Sequence, residues 1–83
     1  MTESELEDLR KLILSGRGKL LRLCAGLTLA AAATEIGCAP RSVWLWETGI
    51  VPKASEPRAR YYYWLSGLRD KLGDITIAER SKE

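Results

Sequence analysis

The sequence predicts an all-α fold, a compact bundle of about five helices, from three observations. Apolar residues recur at intervals of three and four near both ends of the chain, which is the spacing of one face of a helix. Residues that start helices, such as Thr2, Thr28 and Pro40, precede several candidate segments, and glycines such as Gly37 and Gly49 follow them. A chain of 83 residues is long enough for one domain of this kind.

The first predicted helix is acidic and amphipathic and occupies residues 3 to about 15. Thr2 and Glu5 have the spacing of a capping box. The apolar stripe that follows consists of Leu6, Leu9, Leu12 and Ile13. The glycines at positions 16 and 18 then interrupt the helix, because glycine is about 1 kcal/mol worse than alanine in a helix interior. We treat residues 1–16 as a segment that packs on the rest of the chain, on a twin chain or on another protein, and we favour the first.

Leucine and tyrosine side chains of the second and the last predicted helices are expected to supply much of the core. The second helix runs from Lys19 to Ala25, and its core residues are Leu20, Leu23 and Leu27. The last helix begins at Ser55, a good N-cap, and ends before Gly73. Its buried stripe is Tyr61, Leu65, Leu68 and Leu72, with Trp64 beside it. Residues 74–83 form a C-terminal tail, in which residues 74–77 are expected to be a short strand or an extended arm and the charged residues 78–83 are expected to be disordered.

Between these helices lies the segment around which the chain is organised, residues 28–49. Thr28 is a good N-cap, and the eight residues after it include four alanines, which are strong helix formers. Gly37 ends this helix, and Pro40 stands where the first turn of another helix should begin. Gly49 closes the second helix. Two short helices joined by a turn of about three residues form a helix-turn-helix.

Small, apolar and tryptophan residues stand at characteristic offsets across this segment and its flanks. They are Ala25-Gly26-Leu27-Thr28, Ala33, Ile36-Gly37, Val43 and Trp46-Glu47-Thr48-Gly49, followed by Glu56, Tyr61 and Leu65. With these residues the chain resembles the phage-repressor/Cro type of helix-turn-helix domain, also called the xenobiotic-response-element family, whose fold is lambda-repressor-like. The resemblance needs no gap from about residue 17 to residue 65. It implies that residues 17–73 form a DNA-binding domain and that Arg22 and Glu47 form a structural ion pair.

The resemblance also implies how such a domain binds double-stranded DNA. The second helix of the motif, residues 40–48, enters the major groove with its N-terminal part against the base edges. The candidates for base readout are Pro40, Arg41, Ser42, Trp44 and Leu45. Arg41 is the foremost, because a guanidinium group matches the two acceptors of guanine. The candidates for phosphate contact are the basic residues and a helix N-terminus around this helix, namely Arg17, Lys19, Thr28, Leu29, Lys53 and Arg58.

Trp44 and Leu45 are unusual at positions that are commonly polar in this family. They either contact thymine methyl groups or form an apolar patch that binds protein. The sequence therefore predicts a sequence-specific transcriptional regulator, a small phage or prokaryotic repressor that acts by occupying an operator. The alternative is a protein-interaction module, such as an antitoxin or anti-repressor, on the same scaffold. Proteins of this class often bind as homodimers, and the candidates for the dimer contact are Tyr62, Tyr63, Ile75 and Ile77.

The charge distribution favours a polyanion as the partner. The net charge is only +2, but residues 10–60 contain nine basic and three acidic residues, whereas the first eight residues contain four acidic ones. Histidine is absent, and Cys24 and Cys38 are expected to be reduced thiols rather than a disulfide or part of a metal site. Without a nucleophile–base pair we expect no enzymatic activity, and we expect no cofactor or small-molecule effector. The sequence has neither a membrane-spanning apolar run nor an export signal, so the expected location is the cytoplasm.

Overall fold

Five α-helices make up the fold in the computed structural model, which describes residues 1–72. They are α1 (Glu3–Leu14), α2 (Arg17–Cys24), α3 (Leu29–Ile36), α4 (Pro40–Glu47) and α5 (Ser55–Leu72). The predicted all-α fold is confirmed, and residues 1–72 contain no strand. The predicted C-terminal strand or arm, with Ile75 and Ile77, lies outside the described residues.

Two threonine side chains start helices as the sequence predicts. The Glu5 amide donates to the Thr2 hydroxyl at 3.1 Å, and the Thr2 amide donates to the Glu5 carboxylate at 2.9 Å, which completes the capping box of α1. The Thr28 hydroxyl accepts from the Ala31 amide at 3.1 Å at the start of α3. Each bond satisfies an amide that the helix itself leaves unpaired.

A glycine in the left-handed conformation ends each of α2, α3 and α4. Gly37, with φ of 88°, is the clearest case, because the amide of the following Cys38 then donates back to the Ala33 carbonyl at 3.0 Å. The same return bond closes α2, from Leu27 to Arg22, and α4, from Ile50 to Leu45. This is the Schellman arrangement, in which positive φ after the last helical turn turns the chain sharply. The predicted ends of all three helices are therefore confirmed.

One apolar core connects all five helices. It consists of Leu9, Leu12, Ile13, Leu21, Ala33, Ile36, Val43, Trp46, Tyr61, Tyr62, Leu65 and Leu68. α1 contributes three of these residues, and Leu9 is fully buried. The acidic leading segment is therefore packed on the rest of the chain, which is the arrangement favoured from the sequence.

The prediction of the buried side of α2 is wrong. Leu20 and Leu23 were expected in the core, but they are 42% and 54% exposed, whereas Leu21 is buried. Gly18 and Arg22 are buried with Leu21 on the inner side of the helix. At the end of α5, Leu72 is also exposed instead of buried.

A close approach of two helices explains the glycine inside α2. A Cβ atom at Gly18 would lie 2.8 Å from the hydroxyl oxygen of the buried Tyr61, which is too close for any side chain. Gly18 was predicted to interrupt the helix, but α2 begins at Arg17 and contains it. Gly16, with φ of 79°, makes the break between α1 and α2 alone. The lower helix propensity of Gly18 is offset by the contact with α5 that its small size permits.

Candidate nucleic-acid interface

A buried ion pair fixes the end of α4 to α2. Arg22 donates through Nε to one Glu47 oxygen at 2.6 Å and through Nη2 to the other at 2.9 Å. A third bond runs from Arg22 Nη1 to the Leu27 carbonyl at 2.8 Å. The two side chains are only 8% and 5% exposed, and the hydrogen bond with Glu47 raises the pKa of Arg22. The pair that the family resemblance implied is therefore confirmed, and its two-pronged geometry sets the orientation of α4 against α2.

The inner sides of α3 and α4 are small and apolar where the two helices meet. Ala32 and Ala33 are buried on α3, and Val43 and Trp46 are buried on α4. The ring of Trp46 lies 4.7 Å, centroid to centroid, from that of Tyr61 on α5. Trp46 is thus a packing residue. Residues 37–39 form the turn, so α3 and α4 are two eight-residue helices joined by three residues, as the sequence predicts.

The five candidates for base readout lie on the side of α4 that faces away from the core. We call this set the outer face of α4: Pro40, Arg41 and Trp44 are exposed, and Ser42 and Leu45 are half-buried. The side chain of Arg41 has no hydrogen bond or ion pair within residues 1–72, and Trp44 is 50% exposed. The helix thus presents a cation and an indole ring to solvent, while its orientation is set by the buried residues behind them.

The candidates for phosphate contact differ in their exposure and in their neighbours. Lys19, Thr28 and Lys53 are exposed, and Leu29 is half-buried and packed against the core. The amides of the first turn of α3 have no carbonyl partner within the helix, so this N-terminus can accept an anion. Arg17 has other neighbours, because it lines a groove together with Asp8 of α1 and Arg69 of α5.

Arg58 differs from the exposed lysine candidates because part of its side chain is buried. The side chain is half-buried, and its Nε atom is buried without a hydrogen-bond partner among the described residues. A buried donor that is left unpaired destabilises a fold by about 1–3 kcal/mol. Only the rest of the half-buried guanidinium group can reach solvent near the start of α5.

Three polar contacts of α5 were missed by the sequence analysis. Arg60 donates to the Gly37 carbonyl at 3.4 Å and forms an ion pair with Glu56. The indole nitrogen of Trp64 donates to Glu35 on α3 at 3.0 Å. The Glu56–Arg60 pair could have been found from its spacing of four residues. The contacts with Gly37 and Glu35 are long-range and leave no local signal.

Of the aromatic residues predicted for a dimer contact, only one is available at the surface. Tyr62 is buried, and its hydroxyl donates to Asp8 at 2.8 Å, because α1 covers this side of α5. The prediction that Tyr62 forms a dimer surface is therefore wrong. Tyr63 is 54% exposed, although its hydroxyl reaches Glu5 at 3.4 Å. Ile75 and Ile77 lie outside the described residues.

The cysteines and the acidic residues form no metal site in the part of the chain that the structure describes. Cys24 and Cys38 are both free, and burial raises the pKa of the Cys38 thiol.

Among residues 1–72, no helix has the length and apolar character needed to cross a membrane. Comparison of the chain with family models, with curated proteins and with solved structures gives no match.

Proposed function

We propose that this chain is a sequence-specific double-stranded DNA-binding regulator in which α4 lies in the major groove. One observation carries the proposal: the outer face of α4 presents an unpaired Arg41 on a helix whose other side is anchored by the buried Arg22–Glu47 pair. A guanidinium group in this position can donate to the N7 and O6 acceptors of guanine. Because its helix is fixed, the backbone of Arg41 is already ordered, and only the side chain has to be ordered on binding.

The basic residues around α4 supply the sequence-independent part of the proposed binding. Lys19 and Lys53 are exposed, and Arg58 is half-buried near the start of α5. The N-terminus of α3, with Thr28 and Leu29, offers backbone amides to another phosphate. Such contacts set the affinity and its dependence on salt, whereas Arg41 and its neighbours on α4 set the choice of sequence.

The regulator proposed here is a small repressor or Cro-like protein of phage or prokaryotic origin. It acts in the cytoplasm by occupying its operator, and it needs no catalysis, cofactor or small-molecule effector. Two copies bind an inverted repeat, with their α4 helices about 34 Å apart along one face of the duplex. The resemblance across residues 17–65 and the basic surplus over residues 10–60 support this reading.

The test is selection of bound duplexes from a random pool, followed by titration of the best duplex with variants. Arg41→Ala should weaken binding to the selected duplex about 10- to 100-fold, while weak binding to unrelated DNA persists. Arg10→Ala is the matched control, because Arg10 is an exposed arginine on α1 and its loss changes the net charge equally. No duplex binding at low salt, or equal effects of the two substitutions, would overturn the proposal.

The second candidate is a protein-interaction module, and a specific observation favours it. Trp44 and Ile50 are 50% and 52% exposed, and Leu45 between them is half-buried, so the end of α4 presents apolar surface. Exposed apolar patches of this kind mark contacts with protein. In that case Trp44→Ala abolishes partner binding and Arg41→Ala does not, which reverses the order expected for a DNA reader.

A further inference from the structure

The outer face of α4 offers hydrogen-bond donors and apolar surface rather than acceptors. The guanidinium group of Arg41 carries only donors, and the indole nitrogen of Trp44 is a donor with no hydrogen bond within residues 1–72. Pro40 and Leu45 have apolar side chains. Among these five residues Ser42 has the one side-chain acceptor, a hydroxyl that can also donate. The face is therefore suited to a partner that presents acceptors and methyl groups.

The carboxylate of α4 is turned away from this face. Both oxygens of Glu47, the acidic residue of α4, accept hydrogen bonds from the buried Arg22. The Glu47 side chain is 5% exposed, so it is not presented to a base edge. The chain also contains no asparagine and no glutamine, the residues whose amide groups match adenine. The usual reader of adenine is thus missing from the sequence, and the carboxylate that can accept from cytosine is buried by the fold.

The four bases differ in what they present to such a face in the major groove. Guanine presents two acceptors, N7 and O6, and thymine presents the O4 acceptor beside a methyl group. Adenine and cytosine each present an amino group, which needs an acceptor. An amino group that lies against a donor or an apolar side chain loses its hydrogen bond to water without replacement, which lowers affinity. A face of donors and apolar groups therefore favours guanine and thymine.

We propose that the outer face of α4 reads guanine and thymine in neighbouring base pairs and makes no contact with the amino groups of adenine or cytosine. This inference rests on the proposed function and names the class of duplex that it requires. Arg41 donates to both acceptors of a guanine, and Trp44 packs on the methyl group of a thymine. The two residues are three positions apart, which separates them by about 4.5 Å along the helix axis. Because base pairs are about 3.4 Å apart, the two side chains meet neighbouring pairs.

The exposure of the apolar residues points to Trp44 as the reader of the methyl group. Trp44 is 50% exposed, whereas Leu45 is half-buried and presents less surface to a partner. A thymine methyl group covered by the indole ring is removed from water, which corresponds to about a fourfold gain in affinity. Uracil presents the same O4 acceptor without the methyl group. Replacing one thymine by uracil therefore isolates this contribution.

Base analogues placed one at a time in the best selected duplex test the proposal. At the guanine under Arg41, 7-deazaguanine lacks the N7 acceptor and should weaken binding about 5- to 10-fold. At the thymine under Trp44, uracil should weaken it about fourfold. Inosine is the matched control for guanine, because it keeps both major-groove acceptors and loses only the minor-groove amino group; its effect should be below about twofold. Replacing each adenine by 2-aminopurine, which removes the amino group from the major groove, should have an equally small effect.

Two variants assign each contact to its residue. In Arg41→Ala the penalty for 7-deazaguanine should vanish while the penalty for uracil persists, and in Trp44→Ala the reverse should hold. A residue with a merely structural role would leave both penalties unchanged when it is replaced. A duplex that binds but tolerates both analogues, or that loses affinity with 2-aminopurine, overturns this inference and leaves the proposed DNA binding intact. Absence of duplex binding at low salt overturns both.

Discussion

Two ion pairs between helices of the described residues 1–72, Arg22–Glu47 and Asp8–Arg69, differ in geometry and burial. Arg22 donates a hydrogen bond to each of the two Glu47 oxygens, and the side chains are 8% and 5% exposed. Arg69 reaches Asp8 through a single contact of 3.2 Å, and the side chains are 32% and 36% exposed. The first pair holds α4, which carries the proposed DNA contacts. The second joins α1 to the far end of α5.

The difference indicates how each region is held. A buried pair is difficult to break from one side, because the remaining charge stays in a low-dielectric site, whereas a partly exposed pair is screened by water. The position of α4 therefore depends on Arg22 and Glu47. α1 depends mainly on its three buried apolar residues, and the pair between Asp8 and Arg69 adds a smaller contribution.

The largest expected effect comes from breaking the buried pair. Arg22→Ala should lower the free energy of unfolding by about 3–5 kcal/mol, because it leaves the Glu47 carboxylate buried without its partner. Urea denaturation followed by circular dichroism measures the change. Arg41→Ala is the exposed control and should have almost no effect on stability.

Because Arg22→Ala alone can leave the chain unfolded, a second variant keeps the prediction testable. Replacing both partners, as Arg22→Met with Glu47→Leu, removes the stranded charge and should recover much of the lost stability. Two outcomes would contradict a stabilising role of the pair. One is a double variant that is no more stable than Arg22→Ala, and the other is a loss of less than about 1 kcal/mol in the free energy of unfolding of Arg22→Ala.

The next effect tests whether α1 belongs to the same cooperative unit. Leu9→Ala should lower the free energy of unfolding by about 2–5 kcal/mol, because Leu9 is fully buried in the core that all five helices share. Leu14→Ala provides the control, since Leu14 on the same helix is 71% exposed. Two separate unfolding transitions, with only the first sensitive to Leu9→Ala, would show instead that α1 unfolds independently.

The features of the fold that could be predicted from the sequence are local ones. The capping by Thr2 and Thr28 and the termination at Gly37 depend on residues at most five positions apart, so the sequence displays them directly. The Arg22–Glu47 pair is long-range and became predictable only through the family resemblance. The position of the break after α1 was predicted as well, although only Gly16 makes it.

The side on which α2 is buried could not be predicted, for a physical reason. The helix has leucines at positions 20, 21 and 23, so hydrophobic periodicity is consistent with either side. The choice is made by long-range contacts: Gly18 must face Tyr61, and Arg22 must face Glu47, which turns Leu21 inward. The burial of Tyr62 has a similar origin, since it depends on Asp8 of α1, 54 residues away.

The candidate site was predicted in part. The five candidates on the outer face of α4 were implied by the family resemblance, and all five lie outside the core in the structure. The surroundings of Arg58 and the contact of Arg60 with Gly37 were not predictable, because both depend on how α5 crosses the turn. Which bases or partners the face contacts remains a proposal.

A smaller, pH-dependent effect is expected from the pair between Asp8 and Arg69. Burial raises the pKa of Asp8, but hydrogen bonds from Arg69 and Tyr62 outweigh it, and the pKa lies below its ordinary value. A carboxyl group with a lowered folded-state pKa stabilises the fold above its unfolded pKa of about 3.9. That contribution is lost as the pH falls through the lower folded-state value.

Asp8→Asn should therefore be less stable than the natural chain by about 1 kcal/mol at neutral pH, since the pair is partly screened. The difference should shrink as the pH falls below about 4. Urea denaturation at a series of pH values measures it. Glu7→Gln is the control, because Glu7 is an exposed carboxylate of the same helix that forms an ion pair with the exposed Arg10. If the difference in the free energy of unfolding between Asp8→Asn and the natural chain does not change with pH, the ionised Asp8 carboxylate is not the source of the stabilisation.

The smallest effect is expected at the most exposed pair, Glu56 with Arg60, whose side chains are 73% and 51% exposed. Glu56→Gln should lower stability by only about 0.3–0.5 kcal/mol, since the pair spans one turn of α5 in water. For a chain of this size that is a fall in Tm of about 2 °C. Salt should remove the difference, because it screens exposed charges, and it should leave the loss in Arg22→Ala almost unchanged. If Glu56→Gln lowers stability as much as Asp8→Asn does, the contributions of these three ion pairs to stability do not follow their burial.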